Sequence, residues 1–211
     1  MLKLQIIVGS TRPERNADAV LRWVAPIAQA NGAFEVEILD LLDWKLPFFQ
    51  ETLATVGDFK NPTYSDPIVK RWNTKIKEAD AYLFITPEYN HSFPGVLKNA
   101  IDSVFVSFGF RNKAVAFVGY SIGVAAGVRA VEQLNQVMLE TEAVPIRTQT
   151  LIPFVMNAFD AEGKPANPIL SAGLGIALED LAWLAKALKT ARTEGELPPP
   201  TVRMRAAMAK K

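Results

Sequence analysis

The sequence predicts an α/β protein, a three-layer sandwich in which helices cover both faces of a parallel sheet. Two observations support this class: short apolar segments recur along the 211 residues, and segments with helical spacing lie between them. Strands that alternate with helices are joined by right-handed crossovers, which builds a parallel sheet between two helical layers. The composition agrees, because 49% hydrophobic and 21% charged residues are typical of a folded globular chain.

Five runs rich in apolar and β-branched residues are the predicted strands. Most are apolar throughout, as expected for strands covered on both faces, whereas the second run alternates apolar and polar residues. The runs are 4–8, 34–39, 81–86, 114–119 and 146–152.

Five helices are predicted from apolar residues at helical spacing, and the second has a clear start at Ser65-Asp66 followed by Pro67. The stripes are Leu21, Val24 and Ile27/Ala28; Ile68, Trp72 and Ile76; Leu97, Ile101 and Val104; Val128, Val131, Leu134 and Met138; and Leu174, Leu178, Leu181 and Leu188.

Three segments depart from this regular pattern. Pro26 falls inside the first helix, where we expect a cost of about 3 kcal/mol or a kink. The segment 47–64 has no periodicity and is long for a connection, so we predict a surface excursion near the functional site. Residues 1–196 are predicted to form a single domain, followed by a proline-rich basic tail, 197–211. We expect this tail to be frayed and solvated, the alternative being that it wraps a neighbouring subunit.

The composition excludes several kinds of site. The chain has no cysteine, which excludes disulfides, thiolate nucleophiles and cysteine-ligated metals. His91 is the only histidine, so a poly-histidine metal site is excluded and a Ser-His-Asp triad is not expected. With 23 basic and 22 acidic residues, no global field favours nucleic acid. No membrane-spanning run or cleavable leader is recognised, and the expectation is a soluble cytoplasmic protein.

The loop after the first strand, Gly9 to Asp18, has the groups that bind a phosphate. Ser10 and Thr11 offer hydroxyls, Arg12 and Arg15 offer guanidinium groups, and the following helix directs free N–H groups to the same place. The loop matches neither G-x-G-x-x-G nor G-x-x-x-x-G-K-[ST], which favours a single phosphomonoester over a nucleoside triphosphate. The alternative is a solvated turn capped by Asn16 or Asp18.

The loops after the third and fourth strands could hold a flat ring. The first, Thr86 to Gly95, combines prolines with amide, hydroxyl and aromatic groups; a simple turn would explain it equally well. In this loop we expect no proton-transfer role for His91, and we expect Glu88 to cap a helix or contact a subunit. The second, Gly119 to Arg129, is rich in small residues, so its backbone could approach a ligand, or it could simply pack closely on the sheet.

With these motifs the sequence resembles the NADPH-dependent FMN reductases, a family of flavodoxin-like proteins. The resemblance is carried by G-S-T-R-P-x-R from Gly9, by T-P-E-Y-N-x-S-x-P-G-V-L-K-N-A-I-D from Thr86, and by G-Y-S-x-G-x-x-x-G-x-R-A-x-E-Q-L from Gly119. A further family-like stretch, D-L-x-x-x-x-L-P, begins at Asp40. Together they span residues 3–151.

The resemblance implies a flavodoxin-like sheet of order 2-1-3-4-5 and an FMN-binding site. Its phosphate would be held by Ser10, Arg12, Arg15, Asn16 and Ala17, with Thr11 in the same loop. Its ring would lie between two groups of residues, Pro87, Glu88, Tyr89 and Asn90 on one side and Ser121 and Gly123 on the other. Glu14 departs from a loop made for a dianion, so its side chain should point to solvent. The family also implies a homodimer or homotetramer, for which the apolar run 104–110 is a candidate contact.

The expected activity follows from the resemblance and from the residues that are missing. Because no nucleophile–base pair or metal constellation is visible, a bound cofactor should supply the chemistry. We expect hydride transfer from NADPH or NADH to the flavin, then electron transfer to a quinone, azo compound, chromate or free flavin in the same slot, with ping-pong kinetics. Two alternatives remain: a flavodoxin-type electron carrier without NAD(P)H activity, and a nucleotide- or sugar-phosphate-binding protein without flavin.

Overall fold

A computed structural model shows a parallel sheet covered by helices on both faces, and it describes residues 1–52, 54–58 and 62–209. The strands are β1 (Leu2–Val8), β2 (Phe34–Asp40), β3 (Ala81–Pro87), β4 (Ala114–Tyr120), β5 (Val144–Pro145) and β6 (Thr150–Ile152). The helices are α1 (Ala17–Ala30), α2 (Leu41–Trp44), α3 (Pro67–Lys77), α4 (Gly95–Asp102), α5 (Val128–Glu140), α6 (Pro168–Gly195) and α7 (Pro200–Met208).

The sheet has the order β2-β1-β3-β4-β5 with parallel pairing, so the predicted fold class and strand order are confirmed. The fifth position differs in detail, because β5 and β6 both pair with β4 where one run was predicted. The N–H groups of Val144 and Ile146 donate to the carbonyls of Lys113 and Val115, whereas the Thr148 hydroxyl donates to Asp180 of α6. The predicted run 146–152 therefore contributes only its end to a strand.

Two hydrophobic cores lie on opposite faces of the sheet. One packs α1 and α6 against the sheet and includes Val8, Trp23 and Leu178. The other packs α3, α4 and α5 against the other face and includes Trp72 and Phe117. Both faces of β3 and β4 are buried, which explains why their sequences are apolar throughout.

The predicted start of α3 is confirmed, whereas Pro26 does not end α1. The Asp66 carboxylate accepts hydrogen bonds from the backbone N–H groups of Ile68 and Val69, with Pro67 at the first helical position. Helix α1 continues through Pro26, which is exposed, so the carbonyl that loses its partner can be solvated.

The excursion 47–64 is held at its beginning by α4. The Asn99 side chain accepts from Phe49 N–H at 2.9 Å and donates to the Pro47 carbonyl at 2.8 Å. Later in the excursion, Val56 and Tyr64 are buried in a small cluster with Val69 and Val106. Positions 53 and 59–61 of this predicted excursion lie outside the described residues.

The C-terminal tail, expected to be frayed and solvated, is helical and exposed to solvent in its described part. Helix α7 begins at Pro200 and has no buried residue. Arg203 Nε donates to the Pro198 carbonyl at 3.0 Å, which supports the first turn. Proline at the first position and the good helix formers that follow explain the helix.

One long span has the composition of a membrane helix. Pro168–Met208 contains an 18-residue window of mean hydropathy 1.3, apolar and long enough to cross a bilayer by these two criteria. A third of that window is buried inside the fold, and the core helix of a soluble protein passes the same test. This is weak evidence for a membrane segment.

Candidate functional site

The loops after β1, β3 and β4 meet at one edge of the sheet, where they line a cavity of about 310 Å³ that we call the central cavity. Parallel strands place their carboxyl ends at the same edge, which is where ligands bind in such sheets. The cavity is lined by Arg12, Pro13, Glu14, Arg15, Asn16, Pro87, Glu88, Tyr89, Tyr120, Ser121, Ile122 and Val155.

A hydrogen bond joins the first two loops at this cavity. Ser10 is fully buried, and its hydroxyl lies 2.8 Å from Tyr89 Oη. Arg12 is exposed, and its guanidinium carbon lies 3.7 Å from the centre of the Tyr89 ring, a cation–π contact. Two side chains of the predicted phosphate loop are thus placed against the predicted ring wall.

The start of α1 leaves backbone donors free. Asn16 precedes the helix, but its side chain forms no capping hydrogen bond. Within the described chain, the N–H groups of Asn16 and Ala17 have no hydrogen-bond partner, and Ala17 is fully buried. Free N–H groups at a helix N-terminus favour a negative ligand.

Arg15 is committed to the protein itself. Its guanidinium forms a bidentate pair with Asp40 at the end of β2, donates to the Ser10 carbonyl, and bonds Asp18 at 2.9 Å. The side chain is only 5% exposed, and the hydrogen bond to Asp40 raises its pKa, although burial opposes this. Arg15 therefore braces the loop from within. Glu14, whose side chain was expected to point to solvent, is exposed but also lines the central cavity.

Thr11 does not line the central cavity. It lines a neighbouring cavity of about 340 Å³, together with apolar residues that include Leu46 and Phe48. Phe48 is 82% exposed, and the Asn99 contacts hold this segment beside the loop Gly9 to Asp18. Part of the predicted excursion therefore lies next to the phosphate loop.

The loop after β3 is a tight hairpin turn. Tyr89 and Ser92 exchange two backbone hydrogen bonds, at 2.8 and 3.1 Å. Both residues between them, Asn90 and His91, have positive φ, of 50° and 70°. A two-residue turn with positive φ at both positions is the type I′ arrangement, which explains the asparagine. Asn90 is exposed and does not line the central cavity.

Helix α5 braces this hairpin. The Glu88 carboxylate, 4% exposed, is paired with Arg129, and it does not cap α4, whose N-cap position is Pro94. Arg129 also lies 3.1 Å from His91 Nδ1, and Gln133 Nε2 donates to the His91 carbonyl at 2.6 Å. The brace fixes the wall of the cavity that Glu88 and Tyr89 form.

The loop after β4 uses its polar groups internally. The Ser121 hydroxyl donates to the Gly123 carbonyl at 2.8 Å, and its N–H donates to Ile152 at 3.2 Å. A side-chain carbon added at Gly123 would meet nothing within 4 Å, so this glycine leaves open space. At Gly127, φ is 84° and such a carbon would lie 2.4 Å from Tyr120 N, so close packing on the sheet explains that glycine.

The sequence reasoning did not select several residues of the cavity. Tyr120 and Ile122 line it and lie within the loop Gly119 to Arg129, where neither was assigned a role, and Val155 lines it from beyond the last predicted strand. Arg129 belongs to the family-like motif that begins at Gly119, but the sequence assigns this arginine no role. Its partner, Glu88, is 41 positions earlier, so only the folded structure shows the pair.

The arrangement suits a ligand with an anionic end and a flat apolar part. The helix N-terminus, Ser10 and Arg12 supply donors and positive charge at one end. Pro87, Tyr89 and Ile122 supply apolar surface elsewhere.

Comparisons with known proteins agree on one family. The family model described as NADPH-dependent FMN reductase matches residues 2–156. An NAD(P)H-dependent FMN reductase of Pseudomonas aeruginosa is 33% identical over 166 residues, which are 77% of this chain and 84% of that protein. A quinone reductase of Pseudomonas putida is 35% identical over 135 residues, 62% of this chain and 66% of that protein.

A solved structure supports the fold. The flavoenzyme FerB of Paracoccus denitrificans, an NAD(P)H:(acceptor) oxidoreductase, superposes with a TM-score of 0.71 at 24% identity. The match covers 89% of this chain and 98% of that one. At this identity, the likeness is evidence for the fold.

Proposed function

The chain belongs to the NADPH-dependent FMN reductase family, and from this premise we propose that its central cavity binds FMN and serves both NAD(P)H and a small-molecule acceptor. Family membership makes the protein an oxidoreductase with FMN as cofactor and NAD(P)H as electron donor. Bound FMN supplies the redox chemistry, exchanging two electrons between the nicotinamide and the acceptor. The residues of the chain bind, orient and shield it.

The observation that carries this proposal is the hydrogen bond between Ser10 and Tyr89. It joins the loop after β1, which carries the predicted phosphate ligands, to the loop after β3, which carries the predicted ring contacts. Both loops line the central cavity. An FMN phosphate beside Ser10 would meet the free N–H groups of Asn16 and Ala17, and Arg12 would approach it from the exposed side.

The predicted residues then divide into ligands and supports. Ser10, Arg12 and the N–H groups at the start of α1 bind the phosphate. Arg15 holds the loop, since Asp40, Asp18 and the Ser10 carbonyl take its donors. Pro87 and Tyr89 flank the ring on one side and Ser121 on the other.

The acceptor is proposed to be a small aromatic molecule such as a quinone. Ile122 lines the cavity and is nevertheless 71% exposed, which gives the rim an apolar surface that selects for flat shape more than for polar groups. The quinone reductase similarity supports the same class. Because one cavity serves both reactants, donor and acceptor bind in turn, and the kinetics are ping-pong.

Steady-state kinetics of the FMN-loaded protein test this proposal. We expect NADPH oxidation that depends on added 1,4-benzoquinone, with parallel double-reciprocal lines when both concentrations are varied. The FMN-free protein is the control and is expected to be inactive until FMN is restored.

Two results would contradict the proposal. Lines that intersect would show that donor and acceptor are bound together, which excludes the alternating use of one cavity. Negligible turnover by the loaded protein would favour an electron carrier that needs a protein partner.

A further inference from the structure

The hydroxyl of Tyr120 is a buried polar group without a partner. Tyr120 is the last residue of β4, is 4% exposed and lines the central cavity. Its Oη forms no hydrogen bond with any part of the chain that the structure describes. Leaving a buried hydroxyl unsatisfied costs about 1–3 kcal/mol, so an unpartnered group beside a cavity indicates a missing ligand atom.

A second buried tyrosine shows the usual arrangement. Tyr82 is fully buried, and its hydroxyl donates to the Ile76 carbonyl and accepts from Lys113 Nζ at 3.1 Å. Both tyrosines end in a buried hydroxyl, but only Tyr82 has its hydrogen bonds met by the protein. Trp23 Nε1 and Thr150 Oγ1 are also buried without a partner among the described residues, but neither residue lines the cavity, so it is the position of the Tyr120 hydroxyl at the central cavity that makes it a candidate ligand.

The surroundings of Tyr120 identify the kind of ligand. Its side chain packs in the core that contains Ala17, the first residue of α1. The Ser10 hydroxyl lies close enough to lower the pKa of Tyr120, which places Tyr120 beside the loop that follows β1, but no hydrogen bond joins the two hydroxyls. Burial raises the pKa of Tyr120 well above its usual value, so the group stays protonated and can donate.

We propose that Tyr120 is a further ligand of the phosphate group, its hydroxyl donating a hydrogen bond to a phosphate oxygen of the bound cofactor. This inference rests on the proposed function, because it assigns FMN to the central cavity. It adds a side chain from β4 to a phosphate site that is otherwise formed by the loop Gly9 to Asp18 and the start of α1. A hydroxyl there supplies a neutral donor in place of a further positive charge.

The test compares Y120F with wild type as FMN-free proteins. Calorimetric titration with FMN is expected to give a dissociation constant raised about tenfold in Y120F, since a hydrogen bond to a charged group is lost. Riboflavin has the same ring without the phosphate, so its dissociation constant should be unchanged. The melting temperature of FMN-free Y120F should equal or exceed that of wild type, because the substitution removes an unsatisfied group.

Tyr82→Phe is the matched control. It removes a satisfied hydroxyl far from the phosphate loop, so it should lower the melting temperature and leave the FMN dissociation constant unchanged. The opposite responses of the two variants separate a ligand from a structural hydroxyl.

Three outcomes would overturn the inference. They are an FMN dissociation constant that is unchanged in Y120F, an equal loss of affinity for FMN and riboflavin, or a fall in melting temperature like that of Y82F. If the wild-type protein itself does not bind FMN, the proposed function fails as well. Wild-type binding combined with an unaffected Y120F rejects only the role of Tyr120.

Discussion

At the residue scale, two arginines of one loop have different environments. Arg12 is exposed, lies over the face of Tyr89 and forms no hydrogen bond or ion pair with the described residues, whereas Arg15 is enclosed by Asp40, Asp18 and the Ser10 carbonyl. An arginine with free donors can bind a phosphate, and one whose donors are occupied supports the loop. The two positions therefore serve as controls for each other.

We predict opposite effects for R12A and R15A. R12A should raise the FMN dissociation constant about fivefold to tenfold, because a charged ligand is lost, with little change in melting temperature. R15A should lower the free energy of unfolding of the FMN-free protein by about 2 kcal/mol, since Asp40 loses its partner. Calorimetry and urea unfolding measure the two quantities. Equal behaviour of the variants would contradict the division of roles.

The sequence could predict which residues the phosphate loop contains but not which way each side chain points. In the sequence, Arg12 and Arg15 are two arginines of the same loop with nothing to distinguish them. The partner that distinguishes Arg15, Asp40, lies at the end of another strand. Tyr120 was missed for a related reason. It continues the apolar run of β4, and its unpartnered hydroxyl is visible only once its neighbours are placed.

At the element scale, the hairpin after β3 depends on helix α5. The turn holds Asn90 and His91 at positive φ, a conformation that costs free energy for residues other than glycine. Arg129 and Gln133 offset that cost by bonding Glu88 and the His91 carbonyl. The wall of the central cavity is thus positioned by a helix that does not itself line the cavity.

We predict that R129A disturbs this wall. The Glu88 carboxylate would remain buried without its partner, which should lower the free energy of unfolding by about 1–3 kcal/mol and weaken FMN binding. E132A changes an exposed neighbour on the same helix and is the control, with no expected effect on either quantity. A double-mutant cycle with E88A measures the coupling. Additive effects of R129A and E88A would show that the pair does not act as a unit.

The elements themselves were largely predictable, because hydrophobic periodicity directly reports buried faces. The exceptions are elements that apolar spacing does not report. The fifth sheet position is divided between β5 and β6, and α7 forms in a tail that buries nothing. Neither outcome is expressed in apolar spacing.

At the scale of the whole molecule, Lys113 lies just before β4, at the edge of the sheet opposite the central cavity, and connects this edge to helix α3. Its ammonium group is buried and donates to the carbonyls of Ile76 and Lys77 and to Tyr82 Oη. Burial, with a smaller contribution from the charge of Arg192, lowers its pKa to about 7. Nearby, Asp80 is paired with Lys189 and Arg192 and anchors α6.

We predict that this lysine makes stability depend on pH. Between the folded pKa of about 7 and the unfolded value near 10.5, the unfolded chain binds a proton that the folded chain lacks, so stability rises with pH in that window. Relative to K113M, the wild-type free energy of unfolding should increase by about 2 kcal/mol from pH 7 to pH 9. Urea unfolding at both pH values measures it. A constant difference between the two proteins would contradict the shifted pKa.

The assembly of whole molecules stays a prediction. The apolar run 104–110 was expected to contact another subunit, yet Val104, Val106 and Phe110 are buried within the chain. Phe105 and Phe108 are the exposed members, 55% and 38% exposed. The alternation of strands and helices thus predicted the fold, but an apolar run alone did not separate core from interface.

The most direct test of the central claim is a crystal structure of the protein with FMN. We expect the phosphate within hydrogen-bond distance of Ser10 Oγ and of the N–H groups of Asn16 and Ala17, and the ring against Tyr89. FMN bound in the neighbouring cavity beside Thr11, with no phosphate at the start of α1, would contradict the account.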